Sequence, residues 1–128
     1  MDATELAAAA RKALEFDHEI GECSFRLLTP TRTQLRECAY RHQLDLSAGD
    51  KVAQALLQRY LLNTHLIGWT GVRNLHVLPD AGTDPLPWTR EAVGLLLDAQ
   101  PDWADQLGNQ LLLRHGQRNA AIEEQAGN

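Results

Sequence analysis

Apolar residues recur along this chain with two different periods, and the places where the period changes mark out its elements. Leu6, Ala10, Ala13 and Leu14 fall at helical spacing, behind Asp2 and Glu5 in the three-residue offset of a capping box. A first helix is expected there; four consecutive alanines at 7–10 give it high propensity and little area to bury. From Phe16 the period drops to two. Phe16, His18 and Ile20 alternate with Asp17 and Glu19; after Gly21-Glu22, the residues Cys23, Phe25 and Leu27 alternate with Ser24 and Arg26. Alternation on both sides of a glycine-containing turn predicts a β-hairpin over about 16–28. A lone hairpin is marginal in water, so its apolar side is expected to lie on helices.

Helical spacing returns after Pro30. Thr31-Arg32-Thr33-Gln34 has the form of a capping box and predicts a short helix over about 32–42, with Leu35, Cys38 and Ala39 inward and Arg32 and Arg36 on an outer stripe. Ser47 is the expected cap of the next helix, with Asp50 favourable to its dipole. Val52, Leu56 and Tyr60 form one row of that helix and Ala53, Leu57 and Leu61 the adjacent one, which makes it the expected spine of the core. Two close glycines in Ile67-Gly68-Trp69-Thr70-Gly71-Val72 predict an irregular, partly buried segment, and the Pro/Gly/Asp-rich stretch 79–87 a loop. Thr89 caps a helix whose buried face is Val93, Leu96 and Leu97; Pro101 opens another, striped by Trp103, Leu107 and Leu111. Beyond Arg114 the apolar content collapses. The expected architecture is mainly α: a single helical domain over 1–114 with one short β-hairpin near the N-terminus, and a solvated, flexible tail over 115–128.

Composition narrows the chemistry. The 128 residues fit one domain, with apolar and charged fractions ordinary for a globular protein. A net charge of -5 argues against nucleic acid as a partner, because that affinity comes from counterions released by basic side chains. Runs such as Leu95-Leu96-Leu97 are far too short to cross a bilayer, so no membrane partner is expected. Nothing in the acidic start Met1-Asp2-Ala3-Thr4-Glu5 reads as a secretory signal. With Cys23 and Cys38 as the only cysteines, a reducing cytoplasm and two free thiols are expected.

No catalytic constellation is legible. Ser47 reads as a cap and Ser24 as a strand residue, and neither is placed beside a base on an exposed turn. Cys38 and His42 stand one helical turn apart, but zinc needs three or four converging ligands and HExxH and paired CxxC motifs are absent. No glycine pattern cradles a phosphate. The expectation is a non-enzyme without metal or cofactor. Charge is unevenly spread: Arg26, Arg32, Arg36 and Arg41 stand against Glu37 in 26–42, whereas Asp80, Asp84, Glu91, Asp98, Asp102 and Asp105 stand against Arg90 in 80–105. Such a split either keeps the surface soluble or guides head-to-tail packing of copies, with Arg32, Arg36, Asp102 and Asp105 the candidate self-association residues of a homo-oligomer.

The order of features between Ile67 and Asp105 resembles a known family. Trp69-Thr70-Gly71-Val72 is followed by a Pro-rich turn, a capped Pro-Trp-Thr-Arg-Glu-Ala start, the leucines 95–97, and Pro101-Asp102-Trp103. Together with the strand Phe25 to Thr31, its Pro30 and the capped helix after it, this is similar to the tail assembly chaperones of long-tailed bacteriophages. The resemblance implies a small, mostly helical protein with a short β element and no catalytic residues. It implies coating of the tape-measure protein before the tail tube polymerises, recruitment of tail-tube subunits, action in the host bacterial cytoplasm, and absence from the mature virion. A tape measure is expected to present amphipathic helices, which an apolar groove would cover. Trp69, Val72 and Trp88 are the candidate protein-binding residues, since aromatic side chains beside loops are favoured at interface centres; the alternative is that all three fill the core. Two other readings stand beside this one. The helices at about 32–42 and 48–63 read as a helix-turn-helix of a DNA-binding regulator, or the protein is another morphogenesis part such as a head-tail connector.

Overall fold

The computed structural model describes residues 1–47 and 49–127. In chain order they form α1 (Ala3–Leu14), β1 (Glu15–Ile20), β2 (Cys23–Leu28), α2 (Arg32–Arg41), α3 (Lys51–His65), β3 (Leu66–Thr70), α4 (Arg90–Ala99) and α5 (Pro101–Ala126), with two 3-10 turns between β3 and α4. The fold is mainly α, and its β element is a three-stranded antiparallel sheet in the order β1-β2-β3. β1 and β2 make the expected hairpin, with Phe16 opposite Leu27 and His18 opposite Phe25.

The third strand corrects the irregular segment expected around 67–72. α3 passes into β3 at His65–Leu66 without a loop, and β3 pairs with the free edge of β2, Trp69 opposite Phe25 and Gly68 opposite Arg26. The glycines mark strand irregularity and strand end. A register shift lies between Arg26 and Leu27, and Gly71 turns the chain out of the sheet at φ +81°. A Cβ at Gly71 would collide with the backbone of Glu22, so only glycine fits there.

α3 and α5 are the central helix pair. Leu57, Leu61 and Leu62 of α3, Leu107 and Leu111 of α5, and Val93, Leu96 and Leu97 of α4 close over Phe25, Leu27 and Leu66 of the sheet. α3 presents only one of its two expected rows to this core: Ala53, Leu57 and Leu61 are buried, while Val52 is 68% and Leu56 41% exposed. Its cap also differs from expectation. Asp50, not Ser47, accepts from the Val52 N–H at 2.9 Å, and the Ser47 hydroxyl donates instead to Asp45 at 2.6 Å. A carboxylate one residue ahead of the helix both satisfies the free N–H and faces the positive end of the dipole. Residues 115–126, expected as a tail, continue α5. His115 Nδ1 donates to the Pro30 carbonyl at 2.8 Å, and Arg32 pairs with Glu123 at 3.7 Å. The good helix formers Ala120, Ala121, Glu123, Glu124 and Gln125 suffice to propagate a helix already nucleated in the core. Among the described residues no helix is long and apolar enough to cross a membrane.

Candidate functional site

The three candidate protein-binding residues meet around one loop. Trp69 on β3 donates its indole N–H to the Leu86 carbonyl at 2.8 Å and packs edge-on to Phe25 at 6.3 Å. The Leu86 N–H in turn donates to Val72 at 2.9 Å, and Trp88 follows two residues later with the Arg90 guanidinium 4.9 Å over its ring. These bonds fasten the Pro-rich loop across the end of the sheet. Val72 is 1% exposed and is therefore a core residue, a correction to its place on a binding surface. Trp69 and Trp88 are half-buried in the same lid. The cluster binds the chain to itself.

An open apolar groove lies elsewhere, along α2. Leu35 and Ala39 of α2 face Leu44 and Leu46 of the following connection across a hollow of about 510 Å³, with Arg32 and Arg36 on its rim. Leu46 also borders a second hollow, of about 220 Å³, floored by Leu57 of α3 and Leu112 of α5, with Asp50 at its edge. Leu46 lines both hollows; Arg32, Arg36 and Asp45 border the first and Asp50 the second. Capping explains the placement. The Thr31 hydroxyl accepts from Gln34 N and the Gln34 side chain accepts from Thr31 N, which fixes where α2 starts and hence which way Leu35 and Ala39 point. Sequence reasoning missed this groove because Leu44 and Leu46 lie outside any helix or strand; two leucines in an otherwise polar connection were its only signal.

The other side of α2 borders a polar pocket of about 370 Å³ against α3. His65 is buried at its base, and burial holds its pKa below the ordinary histidine value; the Leu61 carbonyl opposes this shift and the nearby Arg90 charge adds to it. His42 stacks on Tyr60, the rings 3.6 Å apart and 3° from parallel. Burial raises the Cys38 thiol pKa, with Arg41 opposing, which disfavours the thiolate form. Both cysteines are free thiols. Among the described residues no group of three or more histidine, cysteine or carboxylate side chains converges on a metal position.

The charged candidates do not meet within one chain. Arg32 and Arg36 sit on α2, and Arg32 reaches Glu123 near the far end of α5. Asp102 and Asp105 are exposed in the first turns of α5, roughly 30 Å from Glu123 along a helix that rises ~1.5 Å per residue. Arg32 and the two aspartates therefore lie near opposite ends of the longest helix, with Arg32 already paired to Glu123. No family model, curated protein or solved structure matches this chain.

Proposed function

We propose that this protein is a non-catalytic, self-associating holder of amphipathic helices, and specifically a tail assembly chaperone of a long-tailed phage. Its clients are the tape-measure protein and the tail-tube subunits it helps to recruit, in the host cytoplasm, and it does not enter the mature virion. The reading is carried by the arginine-rimmed hollow of Leu35, Ala39, Leu44 and Leu46. Apolar clefts of this form receive helices through anchors at i, i+3 and i+4. The basic rim suits a client helix with carboxylates beside its apolar stripe. The separation of Arg32 and Arg36 from Asp102 and Asp105 along α5 supports a head-to-tail arrangement of copies, in which unlike patches meet and the assembly grows along a client.

Co-expression with the tape-measure protein tests the reading. The client's soluble fraction is expected to rise with the wild-type chain and to fall back with Leu46→Glu, whose site is 40% exposed and so tolerates the charge in the unbound protein. A client equally insoluble with and without the wild-type chain overturns the proposal.

A further inference from the structure

The sheet is open along β1. In the order β1-β2-β3 this strand has β2 as its only neighbour among the described residues. The Thr29 N–H donates to the Leu14 carbonyl at 2.7 Å, and that bond fixes the phase of the hairpin. Bonded and non-bonded pairs alternate along an antiparallel ladder. With Leu14 bonded to Thr29, the next bonded pairs are Phe16 with Leu27, His18 with Phe25 and Ile20 with Cys23. The residues between them, Glu15, Asp17 and Glu19, aim their backbone groups away from the sheet. The Glu15 N–H is taken by the Lys12 carbonyl at the end of α1. The Glu15 carbonyl and both backbone groups of Asp17 and Glu19 meet no other backbone group among the described residues. Asp17 and Glu19 are also exposed. Such a row of free N–H and C=O groups is a template for another strand.

Charge selects the strand that fits. Glu15, Asp17 and Glu19 alternate with Phe16, His18 and Ile20, so their side chains share one face of the sheet. On that face Arg26 pairs with Glu15 at 3.4 Å and with Asp17 at 3.1 Å. A single guanidinium shared between two carboxylates leaves the face negative, and Glu19, opposite Ser24, has no ion-pair partner among the described residues. Antiparallel pairing with β1 of a second copy joins residues that both aim at the shared edge. Every bonded pair would then set carboxylate against carboxylate, Asp17 against Asp17 and Glu15 against Glu19. Like charges directly opposite destabilise a sheet, so the edge resists its own copy. A strand with lysine or arginine at the same alternate positions meets it with opposite charge. The other face holds Phe16 and Ile20, half-buried against the core, with the Arg114 guanidinium 4.8 Å over the Phe16 ring. Apolar residues between the basic ones would extend that cover.

We propose that β1 receives an extended segment of a partner protein, antiparallel to it, in which basic residues alternate with apolar ones. The backbone ladder supplies the binding, and Glu15, Asp17 and Glu19 supply its selectivity. Neither the hollow beside α2 nor self-association enters, so the strand edge and the client site can fail separately.

The test uses the full chain and a short peptide alternating lysine with valine, followed by fluorescence anisotropy and amide exchange. In the free chain the Phe16, His18 and Ile20 amides are expected to exchange slowly and those of Asp17 and Glu19 fast. Saturating peptide is expected to slow the Asp17 and Glu19 amides about tenfold or more. The same peptide with glutamate for lysine is expected not to bind. In an antiparallel ladder the lysine amides face β1 and the valine amides face away. N-methylation of the lysines is therefore expected to abolish binding and N-methylation of the valines to preserve it, whereas ionic attraction alone does not distinguish them. Glu19→Lys is expected to weaken binding roughly threefold or more, and Asp17→Lys with Glu19→Lys to transfer binding to the glutamate peptide. Glu19→Gln, with a smaller loss, keeps the charge test decisive if the lysine variants misfold. No binding of the lysine peptide, equal binding of the glutamate peptide, or any other response to N-methylation overturns the proposal. So does slow exchange of Asp17 and Glu19 in the free chain, whether a second copy or the chain itself covers the edge.

Discussion

The side-chain oxygen of Gln34 accepts from His65 Nε2 at 3.1 Å while accepting from the Thr31 backbone N–H at 3.0 Å. One atom thereby joins the start of α2 to the end of α3. It also sets the imidazole's tautomer. The amide oxygen only accepts, so Nε2 donates to it; in the neutral ring Nδ1 then accepts from the Thr64 hydroxyl at 2.8 Å, and only a protonated ring would also donate to the Leu61 carbonyl 3.2 Å away. Burial favours this neutral ring.

Stability should therefore respond to acid through His65. Its folded pKa lies below the ordinary value near 6.5, so between the two values the unfolded chain binds more protons than the folded one. Its contribution is complete above about 6.5 and is lost as pH falls toward the lower folded value. Denaturant midpoints of the wild type and His65→Gln, measured from pH 8 to about 5, should converge as pH drops. Parallel curves would assign the acid response elsewhere, such as His76, whose pKa is also lowered by burial.

Gly108 of α5 lies against Gln58 of α3, where a Cβ would stand 2.7 Å from the Gln58 Cβ. Alanine favours a helix by about 1 kcal/mol over glycine, but overpacking at such a contact costs about 1–3 kcal/mol. Gly108→Ala should lower the melting temperature. Gly116→Ala, on the same helix with nothing within 4 Å of its Cβ, should raise it through propensity alone. Equal shifts of the same sign would mean that α3 and α5 are not in such close contact.

Trp69 of β3 and Trp88 of the loop should respond unequally to the same substitution. Trp69 Nε1 is bonded to Leu86, whereas Trp88 Nε1 is buried without a partner among the described residues. Trp69→Phe removes a made hydrogen bond and leaves the Leu86 carbonyl wanting, a loss of about 1–2 kcal/mol. Trp88→Phe removes an unsatisfied donor and should be near neutral. Thermal melts of the two variants side by side decide it.

Arg90 closes the C-terminus of α3. Its guanidinium donates to the carbonyls of Asn63 at 2.8 Å, Leu66 at 3.1 Å and Thr64 at 3.2 Å. Lysine carries the charge but not the planar fork, so Arg90→Lys should cost about 1 kcal/mol, read as a lower denaturant midpoint. An unchanged midpoint would make the capping redundant.

Features that depend on near neighbours were legible in the chain. The capping box at Thr31 and Gln34, the β1–β2 hairpin and the Thr89 cap all follow from residues within a few positions of each other. Features that depend on distant partners emerged with packing. The stretch 66–70 became a strand because β2 had a free edge to offer. Val52 and Leu56 stayed outside because α5 packs over the Leu57 and Leu61 side of α3. Val72 and Trp69 became a fastening because Leu86 returns to meet them. The furrow arises where Leu44 and Leu46, carrying no periodic signal, come to lie across from Leu35 and Ala39. Periodicity shows which face of an element is apolar, but which apolar face is left without a cover is settled only when the elements have packed.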